Sequence, residues 1–425
     1  MKAKQVIHRA WLACFLLSVA LLSFSQTYSQ VALAVALPFF VADTCVLARF
    51  TLSRFEKRLY SIVALFLALE IVASLTSVAP LTSLLALRKE WLFTLIPLSL
   101  RAFRDRDFHK YFFWTLTASV TLIATYAAIQ HYNGMTPLRP GQPMIFSPDG
   151  LYRVVGNFHN PLTFGNYLVV VSAFLIARGM GAAKSVLSFA TVSSAVFGAV
   201  VSFFTYKRGP AFGLVCGWVT LSVFQIRRNR ALVIGLTIGV VALGALLAPR
   251  FLERVEDTVA TELTNEDMTR WQYSMRRTTI WRTAGNIIID KPLLGVGAGN
   301  FEEAYKQHAD SVVVAFLSHA HNDILNIAAS SGIPACLVYL FMWFYMFREL
   351  LRSRKRSNPR AAGRVALSAT VVASVAFFAV ALTEVAFTKE VVRSALMIFW
   401  GYGLWGLESV EQRGAGEASS TIRAT

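Results

Sequence analysis

The sequence predicts an all-α integral membrane protein with about twelve transmembrane helices and a helical loop domain on its outer side. Of its 425 residues, 55% are hydrophobic and only 15% are charged, and the mean hydropathy is +0.52. These values are too apolar for a soluble multidomain protein of this size. Apolar stretches of about 20 residues, the length needed to cross roughly 30 Å of hydrocarbon, recur along the chain. The bilayer is therefore the predicted solvent.

Twelve apolar segments carry this prediction. They are 10–25, 31–48, 59–77, 82–100, 111–130, 163–177, 185–205, 209–226, 231–248, 321–347, 365–387 and 394–408. The first segment follows Lys2, Lys4 and Arg9, as the apolar part of a signal peptide would. No convincing small-residue cleavage site follows it, so an uncleaved first helix is favoured over a signal peptide.

The positions of the basic residues predict the orientation of these segments. The N-terminus, the C-terminal tail and the loops near 49–58, 101–110, 178–184, 227–230 and 348–364 hold 25 of the 41 Lys and Arg residues. Counting Glu408 at the end of the last apolar segment with the tail, they contain only seven acids, so their net charge is +18 and that of the remaining chain is −1. Cytoplasmic loops are enriched in Lys and Arg, so these segments and both termini are predicted to be cytoplasmic. The basic pI thus reflects topology, and no nucleic-acid partner is predicted.

The orientation divides the chain into four parts. These are residues 1–248 with helices 1–9 and an outer loop at about 131–162, residues 249–320 as a large outer loop, residues 321–408 with helices 10–12, and residues 409–425 as a cytoplasmic tail. No strong internal repeat is visible, which disfavours a carrier built from two inverted halves. The four cysteines, Cys14, Cys45, Cys216 and Cys336, lie in apolar segments, which argues against a disulfide framework or a cysteine metal site.

The large outer loop is predicted to be structured. It opens with an acidic, helix-compatible run over 253–267, and residues 277–290 then place apolar side chains at helical spacing along one face. Pro292 and the glycines at 295, 297 and 299 end this amphipathic helix, and a polar helix of about 300–310 follows. The three glycines lack the spacing of a nucleotide fingerprint and are interpreted as a turn.

Basic residues at the outer ends of the helices form candidate anion-binding groups. They are Arg88 with Lys89, Arg153, Lys207 with Arg208, Arg276 with Arg277, and Lys389 with Arg393. Each could instead snorkel toward water or pair with an outer acid. Together they are unexpected, because outer loops are usually depleted of such residues. Converging Arg and Lys side chains suit a dianionic phosphate ester, since Arg offers a bidentate fork and Lys a point charge.

Arg88 and Lys89 have further alternatives because they fall inside a predicted segment. An uncompensated charge in hydrocarbon costs on the order of 3 kcal/mol. The two cations could pair with Glu90 or Glu70. Equally, the fourth segment could begin after Lys89.

His319, His321 and Asn322 stand where the large loop returns to the membrane. Two histidines could be metal ligands, but alternate positions on a helix face different ways and no third ligand is evident. A general base fits better, because a neutral imidazole takes a proton near neutral pH without a metal. The remaining alternative is an interfacial histidine that caps the helix.

Four stretches of the sequence resemble the bacterial O-antigen ligase family, part of a superfamily with the O-antigen polymerases and protein O-oligosaccharyltransferases. Residues 153–161 (RVVGNFHNP) resemble its Gly-x-Phe-x-x-Pro turn, and residues 205–209 (TYKRG) resemble its Ser-Arg-Gly element, with Lys207 in place of serine. Residues 277–301 follow its pattern of Arg, Trp four residues later, Pro-Leu-Leu-Gly-Val-Gly and Phe. Residues 321–332 match His-Asn, nine residues and Gly, although the usual second glycine is Ala335.

The resemblance implies transfer of O-antigen polysaccharide from undecaprenyl pyrophosphate to lipid A-core in lipopolysaccharide biosynthesis, on the periplasmic face of the inner membrane. The outer loop is then a periplasmic loop domain, and the reaction is an inverting glycosyl transfer without metal or cofactor. The essential residues of the family correspond to Arg208, Arg277 and His321. The candidate substrate-binding residues are Arg88, Lys89, Arg153, Lys207, Arg276, His319, Asn322, Lys389 and Arg393.

Two other functions remain as alternatives. An O-antigen polymerase uses the same donor, and sequence separates it poorly from a ligase. A transporter or flippase for an anionic lipid-linked glycan would also need a basic outer cleft, but it would not need a histidine base. A protein O-oligosaccharyltransferase usually extends well beyond its last helices, whereas this sequence ends soon after Trp405.

Overall fold

The computed structural model describes residues 2–46, 52–141, 144–146, 150–224, 227–248, 250–253, 256, 269–358 and 361–424. The α-helices in these residues are α1 (Lys2–Leu22), α2 (Gln26–Val41), α3 (Arg54–Leu75), α4 (Pro80–Ala86), α5 (Leu95–Ala102), α6 (Arg106–Asn133), α7 (Pro161–Gly181), α8 (Val186–Phe203), α9 (Arg208–Phe224), α10 (Arg227–Leu247), α11 (Arg270–Met275), α12 (Arg277–Asp290), α13 (Phe301–His308), α14 (Asp323–Arg356), α15 (Ala362–Ala381) and α16 (Glu390–Ala424). A π-helical turn follows α2 at Ala42–Val46, and a 3-10 segment joins α4 to α5 at Leu87–Thr94.

The predicted all-α membrane architecture is confirmed in its main feature. Eight helices in the described residues are at least 18 residues long and apolar enough to cross a membrane: α1, α3, α6, α7, α8, α10, α14 and α15. Each of the twelve predicted segments overlaps a helix, but α2 has 16 residues and α9 has 17, so both are shorter than the eight. The chain is therefore a multi-pass membrane protein, and the number twelve stays a prediction.

One small β-hairpin interrupts the helical architecture in the described residues. Its strands, β1 (Ile145–Phe146) and β2 (Tyr152–Arg153), are antiparallel and pair Ile145 with Arg153. They lie in the first outer loop. The buried His131 at the end of α6 holds the hairpin, with its Nδ1 2.7 Å from the carbonyl oxygen of Tyr152.

Helix α7 lies at the centre of the helical bundle. Of the residues in its most apolar stretch, 89% are buried inside the protein, which is the highest share among the eight helices. It packs against α8, α9, α15 and α16, and Phe174 of α7 stacks on Phe399 of α16 with ring centroids 3.7 Å apart. The protein core, rather than lipid, therefore surrounds α7, and its first residues are well placed to support a site at one end of the bundle.

The fourth predicted segment, 82–100, is not a continuous helix. It is divided into α4, the 3-10 segment and α5. Pro97 has no N–H for the carbonyl of Phe93, which disfavours a regular α-helix that continues from Phe93 into α5. The 3-10 segment directs Glu90 toward Arg393 of α16, which forms a bidentate pair with its carboxylate. The ion pair thus stabilises a conformation that hydrophobicity alone does not predict.

Helix α14 is broken at Gly332, where the loop after α12 enters it. Gly332 has φ +85°, in the left-handed region that favours glycine. The loop uses the freed backbone groups: Val296 N–H donates to Ala329 O at 3.0 Å, and Gly297 N–H donates to Ser330 O at 2.8 Å. Ile333 N–H in turn donates to Pro292 O at 2.7 Å. The predicted glycine turn is therefore a docking element that fixes α12 against α14.

The predicted outer loop domain has a hydrophobic core of its own. The helix predicted over 277–290 is present as α12, and Ile280, Ala284 and Ile287 on one face are buried against α13 and the start of α14. The polar helix predicted at 300–310 is present as α13. Most of the acidic run at 253–267 lies outside the described residues. This second core holds the N-terminus of α12 in a fixed position.

Gly332→Ala should destabilise the protein strongly. A Cβ there would lie 2.1 Å from Leu293 O, and a non-glycine residue in this backbone conformation costs about 1–3 kcal/mol even without a clash. The measurement is the thermal midpoint of unfolding of detergent-purified protein.

Gly285→Ala is the matched control, because a Cβ at Gly285 in α12 meets nothing within 4 Å. A helical Gly→Ala change stabilises by up to about 1 kcal/mol, so this midpoint should stay or rise. Equal midpoints for the two variants would contradict the docking role of Gly332.

Candidate functional site

A cavity of about 450 Å³ lies where five separate parts of the chain meet at one end of the bundle. The cavity, called here the first cavity, is lined by the starts of α7 and α9, the α11–α12 junction, the segment before α14 and the loop between α15 and α16. Its charged and imidazole groups are Lys207, Arg208, Arg276, Arg277, His319, His321, Glu384 and Lys389. Five cations thus face one carboxylate, which gives the cavity the charge expected of an anion-binding site.

Glu384 joins two of the predicted catalytic residues. Its Oε2 is 2.8 Å from Nδ1 of His321, and its Oε1 accepts a hydrogen bond from an Nη of Arg277 at 2.5 Å. The carboxylate side chain is only 7% exposed. Burial raises the pKa of Glu384, but the hydrogen bond from His321 and the charge of Arg277 outweigh burial and lower the pKa to about 2. Glu384 is therefore an anion at neutral pH.

The bond to Glu384 determines which nitrogen His321 presents. A carboxylate only accepts hydrogen bonds, so Nδ1 of His321 must carry the proton. In a neutral ring, the lone pair then lies on Nε2. The ring is 19% exposed and lines the first cavity. His321 therefore has the tautomer that a general base requires.

The backbone at His321 is in a rarely occupied conformation. Its φ is +51°, and Tyr206, which precedes Lys207 and Arg208, also has φ +51°. These are the two non-glycine residues with positive φ among those that the structure describes. Such conformations persist only where the surrounding structure enforces them, and they concentrate at functional sites. The turn at Tyr206 leads directly to Lys207 and Arg208, and His321 itself lines the cavity.

The loop between α15 and α16 is anchored to the start of α14. Asn322 caps α14 by accepting from Leu325 N–H at 3.1 Å, and its Nδ2 donates to Leu382 O at 2.9 Å. The buried carboxylate of Asp323 accepts from Phe387 N–H at 3.0 Å. These bonds hold the loop on both sides of Glu384. Asn322 thus positions the site and does not line the first cavity.

His319 packs against His321 with the ring edge to face and the centroids 4.2 Å apart. Burial, together with the neighbouring His321 and Lys389, lowers the pKa of His319 to about 3. His319 is therefore neutral at physiological pH. It adds no charge to the first cavity and supports the ring of His321.

The buried side chain of Arg153 supports the turn that leads into α9. The guanidinium of Arg153 is buried, and its Nε donates to Thr205 O at 2.9 Å. Val154 N–H also donates to Phe204 O at 3.1 Å. Arg208 is the first residue of α9, where the positive end of the helix dipole favours anions. Arg153 thus positions this turn and does not line the cavity.

The remaining predicted substrate-binding residues lie elsewhere. Arg88 is exposed and lines neither this cavity nor a neighbouring cavity of about 420 Å³ that shares Asn160 and Lys389 with it. Lys89 lines the neighbouring cavity, and its Nζ donates to Thr388 O at 3.4 Å. Arg393 is 1% exposed, is paired with Glu90 and lies between the rings of Phe93 and Phe387. The structure therefore gives Arg393 a structural position in the core.

Glu384 was not singled out by the sequence prediction. The available signal was an acid inside the predicted apolar segment 365–387, near its outer end and five residues before Lys389, which was singled out. Its partners, His321 and Arg277, are 63 and 107 residues away in the sequence, so local spacing cannot identify them.

In the described parts of the chain, no three His, Cys, Asp or Glu side chains are grouped so that they could hold a metal ion. Cys14, Cys216 and Cys336 are free thiols, and the side chain of Cys45 lies outside the described residues.

Glu384→Gln should lower the thermal midpoint at pH 7, and its difference from the wild type should shrink as the pH falls. The pKa in the folded protein, about 2, lies below the ordinary value of 4.5. The charge of Glu384 therefore stabilises the protein fully above pH 4.5, and this stabilisation is lost as the pH falls toward 2.

Midpoints of detergent-purified protein between pH 7 and pH 3 test this dependence. The control is Glu303→Gln, because the Glu303 side chain on α13 is 66% exposed and should contribute little at any pH. A Glu384→Gln difference that stays constant over this range would contradict the assignment.

Comparison with known proteins places this site in a family context. No curated protein matches the chain. Residues 193–340 match the family model described as O-antigen ligase. The matched segment runs from α8 into α14 and contains Arg208, Arg277 and His321, whereas Glu384 lies beyond it. The resemblance to the O-antigen ligase family predicted from the sequence is therefore confirmed over this segment, and the match supports an enzymatic function of the O-antigen ligase and polymerase type.

Proposed function

We propose that this protein is an O-antigen ligase that transfers O-antigen polysaccharide from undecaprenyl pyrophosphate to lipid A-core at the periplasmic face of the bacterial inner membrane. The observation that carries the proposal is the meeting of Arg208, Arg277 and His321 in one cavity, with Glu384 joining the last two. The positive-inside pattern supports the orientation, with both termini in the cytoplasm.

The chemistry of the first cavity suits a sugar that is already linked to a good leaving group. The acceptor hydroxyl attacks the anomeric carbon of the donor from the face opposite the pyrophosphate. A new glycosidic C–O bond forms as the bond to the pyrophosphate oxygen breaks, and the electron pair of the broken bond stays on undecaprenyl pyrophosphate. Attack from the opposite face inverts the anomeric configuration.

Arg208 and Arg277 stabilise the charge that develops on the leaving pyrophosphate. Fixed guanidinium groups need no reorganisation during the reaction, which is why preorganised cations lower such barriers. Arg277 has five N–H donors, and its bond to Glu384 orients the guanidinium without using all of them. Lys207 and Arg276 add to the positive potential of the cavity.

His321 acts as the general base in this proposal. Its Nε2 takes the proton of the acceptor hydroxyl while the new bond forms. Glu384 holds the ring by its Nδ1 and stabilises the imidazolium that results. The neutral His319 beside it places no second positive charge against that imidazolium. The proposed reaction uses no metal or cofactor.

Deletion of the gene tests the function directly. We expect the O-antigen ladder of lipopolysaccharide to disappear on a gel while lipid-linked polymer accumulates, and the intact gene should restore the ladder. Lipopolysaccharide capped with single repeats would instead identify an O-antigen polymerase. Loss of the ladder with the lipid-linked glycan retained on the cytoplasmic face would identify a flippase.

His321→Ala should reduce transfer by about 10²–10⁴-fold, the usual contribution of a general base. The measurement is the turnover rate of purified protein with lipid-linked donor and lipid A-core.

The matched control is His308→Ala, because His308 on α13 bonds to Ala304 O and lies outside the first cavity. Both variants should keep the donor affinity of the wild type. Full turnover by a correctly folded His321→Ala protein would reject the role of His321 as base.

A further inference from the structure

A second cavity of about 420 Å³ adjoins the first and shares two of its residues. Asn160 and Lys389 line both cavities and form the boundary between them. The other walls of the second cavity come from the α1–α2 turn, the 3-10 segment after α4 and the loop before α7. A ligand that occupies the second cavity therefore lies next to the proposed reaction centre.

Two polar atoms of this wall have no hydrogen-bond partner in the part of the chain that the structure describes. Arg139 donates from Nη2 to His159 Nε2 at 2.6 Å, but its buried Nη1 is unpaired. Asn157 donates from Nδ2 to Phe24 O at 2.6 Å, but its buried Oδ1 is unpaired. A buried polar atom without a partner costs about 1–3 kcal/mol, so a ligand that pairs with both atoms recovers this cost.

The charge of the second cavity differs from that of the first. Lys89, Arg139 and Lys389 face Glu390, whose carboxylate accepts hydrogen bonds from the side-chain amides of Gln26 and Gln30. A mixture of cations, amides and one carboxylate suits a saccharide, because sugar hydroxyls both donate and accept hydrogen bonds. The first cavity, with five cations against one carboxylate, suits a pyrophosphate better.

We propose that the second cavity binds an anionic sugar of the acceptor oligosaccharide, with Arg139 as the residue that contacts its negative group. This inference rests on the proposed ligase function, because it assigns the second cavity to the second substrate. The excess of cations selects a phosphorylated or carboxylated sugar over a neutral one. The shared Lys389 places the acceptor hydroxyl toward His321 while the anionic sugar stays in the second cavity.

Binding of core oligosaccharide without the donor tests this assignment independently of transfer. Isothermal titration of the detergent-purified full chain compares an anionic core oligosaccharide with a neutral oligosaccharide of the same length. We expect the wild type to prefer the anionic form at least about tenfold, which corresponds to about 1.4 kcal/mol. Arg139→Gln should remove this preference. Equal binding of both oligosaccharides by the wild type would overturn the proposal.

Arg282→Gln is the matched control, because Arg282 on α12 is 66% exposed and lines neither cavity. Lys89→Gln provides a second variant should Arg139→Gln unfold, and it should weaken binding of the anionic form severalfold. Binding of the anionic form that is unchanged in every folded cavity variant would overturn the proposal.

Transfer kinetics separate the two substrates. Arg139→Gln should raise the KM for lipid A-core at least about tenfold and leave the KM for the lipid-linked donor unchanged. A rise in the donor KM alone would assign the second cavity to the donor and overturn the acceptor assignment. Arg139-dependent binding of the oligosaccharide without any transfer by the wild type would reject the ligase function but keep the saccharide site.

Discussion

The buried carboxylate of Glu384 is the interaction on which the arrangement of the site depends. It brings together α12, the segment before α14 and the loop between α15 and α16, which are far apart in the sequence. A buried anion is stable only when it is paired, and Arg277 and the Nδ1 proton of His321 provide that pairing. The same contact that stabilises the anion also orients a guanidinium and selects the imidazole tautomer. Structure and chemistry are thus coupled at one side chain.

The surrounding frame makes this contact possible. The break in α14 at Gly332 lets the loop after α12 bond directly to the helix backbone, which fixes Arg277 at the start of α12 relative to His321 before α14. Asn322 and Asp323 anchor the loop that carries Glu384. On the far side of that loop, the ion pair of Arg393 with Glu90 holds the start of α16 against the 3-10 segment. The break at Gly332, the bonds of Asn322 and Asp323 and the Arg393–Glu90 ion pair therefore together fix the position of Glu384 relative to Arg277 and His321.

Two adjacent cavities give the protein a basis for using two substrates. The first concentrates positive charge and contains the imidazole, and the second combines cations with amides and a carboxylate. Lys389 belongs to both, so its charge acts on ligands in either cavity. Burial and the neighbouring Lys89 lower the pKa of Lys389, and Glu384 opposes this shift. The proposed division assigns pyrophosphate to the first cavity and an acceptor sugar to the second.

The sequence alone predicted the all-α membrane architecture, the amphipathic helix at 277–290 and Arg208, Arg277 and His321 as candidate catalytic residues, because hydrophobic length, helical period and short motifs are local properties. Only the tertiary structure decided which cations meet. It places Arg153, Asn322 and Arg393 in supporting positions outside the first cavity, and it shows that the segment 82–100 is not one helix. It also identifies Glu384 as part of the site. A residue near the end of a helix can face a cavity or the core, and packing between distant segments determines which. The pairing of a buried carboxylate is likewise a property of the folded chain, since its partners are defined by distance in space.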